Sequence, residues 1–180
     1  HTWVGVIREY PDGIPEHLKI RTPPPGYDPG KHSHKLWGAH AWGSAAKLVK
    51  GPRSYRNLLA WRGMADGDSP PTGMLTQVRH TQCGLNGGAQ DYPVTAASIE
   101  DRNARLDGER DGIYRTLCQI YYLQQLGLPW SVAEDEGFDT VHNRRNMERL
   151  GLREDLKPIA AHLPQWPYVR EARRARGLYT

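Results

Sequence analysis

The stretch from Leu85 to Gly127 constrains the fold most strongly, because it contains the only long helical pattern in the sequence. It opens with a glycine-rich turn, residues 85–93, and its second half carries residues at helical spacing: Ile113, Leu117, Ile120, Tyr121 and Gln124. Residues 100–111 are almost entirely polar. We therefore predict one long helix, from Ile99 to Leu126, of which only the second half lies in a core.

Local signals mark both ends of this helix. Ser98 is a favourable N-cap residue, and Asp101 would place an acidic group on the first-turn amides. Gly127 can adopt the left-handed conformation that ends a helix, and Pro129 cannot continue the turn. The sequence therefore predicts a helix that starts after Ser98 and stops near Gly127.

The elements predicted along the sequence give an α+β fold, mainly α with long loops and a few short strands. Hydrophobic residues make up 38% of the 180 residues, Gly and Pro number 19 and 14, and six Trp and nine Tyr accompany a single Phe. Amphipathic aromatic residues in such numbers suit surfaces that are partly apolar and partly wet. Two interpretations stay open: a loop-rich single domain, or a piece that completes its burial against another chain or domain.

Two regions differ in character. Residues 1–73 are rich in Trp, His and Pro, with a strand predicted at residues 3–7 and no recognisable role. Residues 74–180 contain the loop and the long helix, with a strand predicted over residues 74–80. Short helices are predicted over residues 145–150 and 156–163.

The net charge of +4 does not indicate a nucleic-acid groove. Residues 165–180 hold four Arg and one Glu, a net +3, which leaves about +1 for the rest of the chain. No apolar run approaches the ~20 residues of a membrane span. Cys83 and Cys118 show no metal-ligand spacing, and we expect two ordinary thiols. We therefore expect neither a nucleic-acid partner nor a membrane.

The arginines near the carboxyl end form a possible anion site. If this segment is helical, Arg170, Arg173 and Arg174 share one face. Three guanidiniums without matched carboxylates favour a shared anion, such as a phosphate or a carboxylate. The alternative is an exposed basic helix end.

Two other clusters have a functional and an ordinary interpretation. His32, His34 and His40 could ligate a metal, although surface histidines explain them as well. The acidic run at residues 134–136 lacks the alternation and central Gly of a calcium loop. We expect it to be a solvated loop or a partner for the arginine tail.

Three motifs, in this order, resemble the FAD-dependent oxidoreductases that carry a Rossmann-type FAD-binding domain. Residues 85–94, with Asn-Gly-Gly-Ala-Gln-Asp-Tyr-Pro, are similar to an Asn-Asp-Tyr-Pro loop of that family. The helix end and acidic stretch at residues 117–138 are similar to the family's Tyr-x-Leu-Gln helix and the acidic segment after it. Residues 168–177 are close to its Arg-Glu-Ser-Arg-Arg-Ile-x-Gly signature, with Ala172 and Ala175 at the Ser and Ile positions. The resemblance covers about residues 74–180.

The family's Gly-x-Gly-x-x-Gly loop, which binds the FAD pyrophosphate, has no counterpart here. The resemblance therefore implies the substrate-side or cap portion of a two-domain flavoprotein, an internal piece or subunit without a complete Rossmann domain. A companion FAD-binding polypeptide or domain would hold most of the FAD.

The resemblance also implies roles for particular residues. Asn86, Asp91 and Tyr92 would bind the small-molecule substrate. The arginine cluster Arg170, Arg173 and Arg174 would contact a cofactor phosphate or an acidic substrate at the domain junction. His80, the histidine nearest the loop in sequence, would be the catalytic base.

Two alternatives belong to other classes of function. One is a non-catalytic carbohydrate- or protein-binding module whose tryptophans stack on a partner; these are Trp3, Trp37, Trp42 and Trp61. The other is a metal-dependent enzyme that uses His32, His34 and His40.

Overall fold

The computed structural model describes residues 5–29, 75–79, 82–85 and 95–167, with the backbone alone for 75–79 and 82–85. Within these ranges the chain is α+β, as the sequence predicts: a small antiparallel sheet packs with one long helix and several short ones. None of the helices in these ranges is long and apolar enough to cross a membrane.

The described strands form one four-stranded sheet. They are β1 (Gly5–Glu9), β2 (Leu75–Arg79), β3 (Gln82–Leu85) and β4 (Trp130–Val132). Their order is β2-β3-β1-β4 and the pairs are antiparallel. Ile7 lies opposite both Cys83 and Val132, and alternate residues of β1 are buried, so one face of β1 packs on the core. The two strands predicted at residues 3–7 and 74–80 are therefore found, with small shifts in their bounds.

The long helix begins later than predicted. A short helix α1 (Ala97–Glu100) ends at Asp101, whose extended backbone interrupts the helix before α2 (Arg102–Gln125). Asp101, rather than Ser98, is the N-cap of α2, because its carboxylate accepts from the backbone amides of Asn103 and Ala104 at 2.6 and 3.2 Å. The single helix predicted from Ile99 to Leu126 was therefore wrong at its start.

The C-terminal end of α2 lies near Gly127, as predicted from the sequence. Gly127 has φ 71° and its amide donates to the Gln124 carbonyl, while the Leu128 amide donates to the Leu123 carbonyl. This pair of hydrogen bonds is a Schellman motif. The buried residues of α2 begin at Gly112, so the predicted division into a polar first half and a core second half is confirmed.

The core forms where α2 meets β1, β4 and the short helices. Its largest fully buried side chains are Ile7, Leu18, Ile113, Leu117 and Trp130. After β4 come a 3-10 turn (Glu134–Glu136), α3 (Val141–Arg149) and α4 (Lys157–Ala160). The helices predicted at residues 145–150 and 156–163 correspond to α3 and α4.

A side-chain amide fixes the end of the first 3-10 turn (Glu16–Leu18) and the segment that follows it. Gln124 of α2 accepts from the Ile20 amide at 3.0 Å and donates to the carbonyls of Leu18 and Trp130 at 3.4 and 3.2 Å. The Ser131 hydroxyl also donates to the Leu18 carbonyl, at 2.8 Å. The 3-10 turn is therefore held against α2 and β4.

Candidate functional site

A cleft opens where the first 3-10 turn, the turn after β4 and helices α3 and α4 meet. Its volume is ≈ 390 Å³, within the range of small-molecule sites. The residues that line it are mostly titratable: His17, Glu134, Asp139, Arg144, Met147, Glu148, Lys157, Pro158 and His162.

One side of the cleft is formed by a histidine and a carboxylate from distant parts of the chain. His17 Nε2 lies 2.6 Å from Glu134 Oε1. His17 belongs to the 3-10 turn that Gln124 and Ser131 hold in place, and Glu134 opens the turn after β4. This contact joins the two turns at the mouth of the cleft.

Asp139 is held by an arginine on the opposite side. Arg144 donates from Nε and Nη2 to the two carboxylate oxygens of Asp139, at 2.5 and 2.6 Å. These charge-assisted hydrogen bonds lower the pKa of Asp139, against the opposing effect of its burial. Asp139 is therefore an ionised acceptor whose charge is largely offset by Arg144.

His162 is the most buried titratable residue of the cleft. Its side chain is 10% exposed, and its Nε2 lies 4.0 Å from Asp139 Oδ2. Among the residues that the structure describes, its Nδ1 is buried and has no hydrogen-bond partner. Burial lowers the pKa of His162, although the nearby charges of Asp139 and Glu134 act in the opposite direction. Burial therefore favours the neutral form of this ring.

Both cations of the cleft are already paired with carboxylates. Lys157 donates to Glu148 and, at 2.5 Å, to Glu154, and Arg144 is occupied by Asp139. The lining therefore contains three carboxylates, those of Glu134, Asp139 and Glu148, and two cations. The described residues contain no group of three or more His, Cys, Asp or Glu arranged to hold a metal ion. The cleft thus combines charged side chains that are already paired with the largely buried imidazole of His162.

The residues predicted from the family resemblance lie outside the described ranges. This applies to His80, to Asn86, Asp91 and Tyr92, and to Arg170, Arg173 and Arg174. It applies equally to the alternative metal site at His32, His34 and His40 and to Trp3, Trp37, Trp42 and Trp61. These assignments stay predictions.

The acidic run at residues 134–136 takes part in the fold. Glu134 contacts His17, and Asp135 forms an ion pair with Arg8 at 3.5 Å. Cys118 is a free thiol, as expected, and burial raises its pKa to about 12. It is therefore not a nucleophile at neutral pH.

Sequence reasoning did not find the cleft. His17, Asp139 and His162 are far apart in the chain and follow no spaced motif. The nearest local signal is Thr140, whose hydroxyl caps α3 by accepting from the Asn143 amide at 3.1 Å. That cap predicts a helix start, but it does not indicate which side chains surround it.

Comparison of the chain with known proteins finds no matching family model, no matching curated protein and no matching solved structure.

Proposed function

We propose that this chain is the substrate-side part of an FAD-dependent oxidoreductase, and that another segment or chain holds most of the FAD. The observation that carries the proposal is the order and spacing of the three family-like motifs at residues 85–94, 117–138 and 168–177. The middle motif includes the C-terminal end of α2, whose Schellman motif and buried second half make it a rigid support.

The described residues do not themselves fit FAD. A dinucleotide is bound at the turn between a parallel strand and a helix, where glycines let the backbone approach the pyrophosphate. The described strands pair antiparallel, and α2 begins at an aspartate whose carboxylate already occupies its first amides. The proposal therefore assigns the pyrophosphate to a companion domain, and FAD would supply the hydride chemistry when bound there.

The described fold brings close together the two points of the chain from which the first and third motifs continue. Leu85, the last residue of β3, lies opposite Gly5, and the Cα of Gly5 packs closely against the side chain of Leu163. The first motif begins at Leu85, and the third motif begins five residues after Leu163. The proposal is that both motifs contribute to one site.

In this proposal the predicted residues have separate roles. Asn86, Asp91 and Tyr92 bind the substrate, and His80 accepts its hydroxyl proton. Arg170, Arg173 and Arg174 contact an anion at the junction, either a cofactor phosphate or an acidic substrate. In a flavin-dependent reaction the protein positions the reacting carbon of the substrate and sets the electrostatic field around it.

The test is to purify the full chain together with its associated polypeptides and to record an intact mass and a visible spectrum. We expect a companion chain and a flavin absorbance. Arg173→Ala should weaken flavin retention or turnover at least tenfold, without changing the melting temperature of the isolated chain. Arg176 stands at the unspecified position of the signature, so Arg176→Ala is the matched control. A colourless complex would refute the proposal, and flavin retention and turnover in Arg173→Ala equal to those of Arg176→Ala would remove the role of the arginines.

A further inference from the structure

We infer that the cleft between His162 and Asp139 is a binding site for a small neutral molecule that carries hydroxyl groups, with one hydroxyl bridging these two residues. This inference goes beyond the flavin proposal and does not depend on it, because every contact that carries it lies within this chain.

The first support is the separation of the two groups. His162 Nε2 and Asp139 Oδ2 are 4.0 Å apart, too far for a direct hydrogen bond. A hydroxyl oxygen placed about 2.8 Å from each atom would make an angle of roughly 90° between them, not far from tetrahedral. The separation is therefore compatible with a single bridging hydroxyl.

The second support is the hydrogen-bonding capacity of the pair. Asp139 is ionised and can only accept, whereas a neutral imidazole nitrogen either donates or accepts, depending on the tautomer. A hydroxyl group can donate to the carboxylate while it accepts from an Nε2–H. His162 is nine-tenths buried, and the hydroxyl would bond to its Nε2, while its Nδ1 stays buried without a partner among the described residues.

The third support is the charge of the lining. Glu134, Asp139 and Glu148 repel an anion, and the nearby cations are already paired with carboxylates. A cationic ligand would gain little binding energy from Asp139, since Arg144 contacts both of its carboxylate oxygens. A neutral ligand avoids both difficulties, and polyols and sugars are the class of small molecule that offers several hydroxyls without charge.

The fourth support is that the site is already formed. Asn143 fixes the backbone on both sides of His162, and Gln124 and Ser131 fix the turn that carries His17. A ligand would therefore not have to order these groups on binding.

The experiment is a titration of the full chain, labelled at its histidine rings, with three matched sugars followed by NMR. Glucose is the neutral probe, glucuronate adds a carboxylate and glucosamine adds an ammonium. We expect the His162 ring signal to move on addition of glucose, and glucose to bind at least tenfold more tightly than glucuronate. No movement of that signal up to the solubility limit of glucose, or tighter binding of glucuronate or glucosamine, would overturn the inference.

Two substitutions complete the test. His162→Gln should weaken glucose binding about tenfold, the loss expected for one hydrogen bond to a buried polar group. His142→Gln is the matched control, because His142 is an exposed histidine of α3 outside the cleft lining. Unchanged binding by His162→Gln with a native amide spectrum would also overturn the inference. Should that variant fail to fold, the order of the three sugars on the wild-type chain decides alone.

Discussion

The Nε2 of His162 lies 4.0 Å from the Oδ2 of Asp139, and one buried amide sets the position of both residues. The Nδ2 of Asn143 donates to the carbonyl of Phe138 at 3.2 Å, just before Asp139. It also donates to the carbonyls of Ala161 and Leu163, on either side of His162, at 2.8 Å each. The geometry of the cleft therefore depends on a residue that does not line it.

We predict that Asn143→Ala lowers the free energy of unfolding by about 3 kcal/mol, because buried carbonyls lose their donor at roughly 1–3 kcal/mol each. Urea unfolding followed by circular dichroism measures the loss. Asn103→Ala, an exposed asparagine in the first turn of α2, should change it by no more than about 0.5 kcal/mol. Equal effects of the two substitutions would show that the contacts of Asn143 are not structural.

The sequence predicts the end of α2 better than its start, for a physical reason. Gly127 favours the left-handed conformation that ends a helix, and Pro129 prevents the helix from continuing, so both signals give the same end point. At the start, Ser98 and Asp101 are both good cap residues, and local sequence does not separate them. The structure separates them through backbone conformation, since Asp101 is extended and Ser98 lies inside α1.

A second prediction distinguishes these two cap residues. Asp101→Ala should lower the free energy of unfolding by about 1 kcal/mol, because two first-turn amides of α2 lose their acceptor. Asp101→Asn should restore most of that loss. Ser98→Ala is the matched control and should change stability by a few tenths of a kcal/mol. A larger effect at Ser98 than at Asp101 would contradict the observed helix start.

The cleft was not predictable because its residues are brought together by tertiary hydrogen bonds to backbone carbonyls. Gln124 holds the turn of His17, and Asn143 holds the segment of His162. Such bonds have no periodicity in sequence, unlike the apolar spacing that predicted the core half of α2. A polar residue inside an apolar pattern, such as Gln124 near the end of α2, is the only local sign that a contact of this kind exists.

A third prediction concerns the contact between β1 and the segment after α4. A methyl group at Gly5 would lie 2.5 Å from Leu163 Cδ2, and Leu163 is fully buried. Gly5→Ala should therefore cost about 1–3 kcal/mol from overpacking. In a double-mutant cycle, Leu163→Val should relieve part of this cost, so that the two changes together destabilise less than their sum. Strict additivity in thermal or urea unfolding would rule out the contact.

The last prediction is the pH dependence of stability that His162 produces. Burial lowers its pKa below the ordinary value of about 6.5, so the unfolded chain binds this proton more readily than the folded chain. The stabilisation from a neutral His162 is therefore complete above about pH 7 and declines as the pH falls from there to the folded pKa, at no more than about 1.4 kcal/mol per pH unit. The lowered pKa of Asp139 acts in the same direction, but only at more acidic pH.

Urea unfolding at pH 7.5, 6.5 and 5.5 tests this prediction. The free energy of unfolding should fall less with pH for His162→Gln than for the wild-type chain, whereas His142→Gln should follow the wild type. The comparison of variants removes the contribution of the other titratable groups, which is common to both chains. An identical pH dependence in His162→Gln and wild type would mean that His162 is as well solvated when folded as when unfolded.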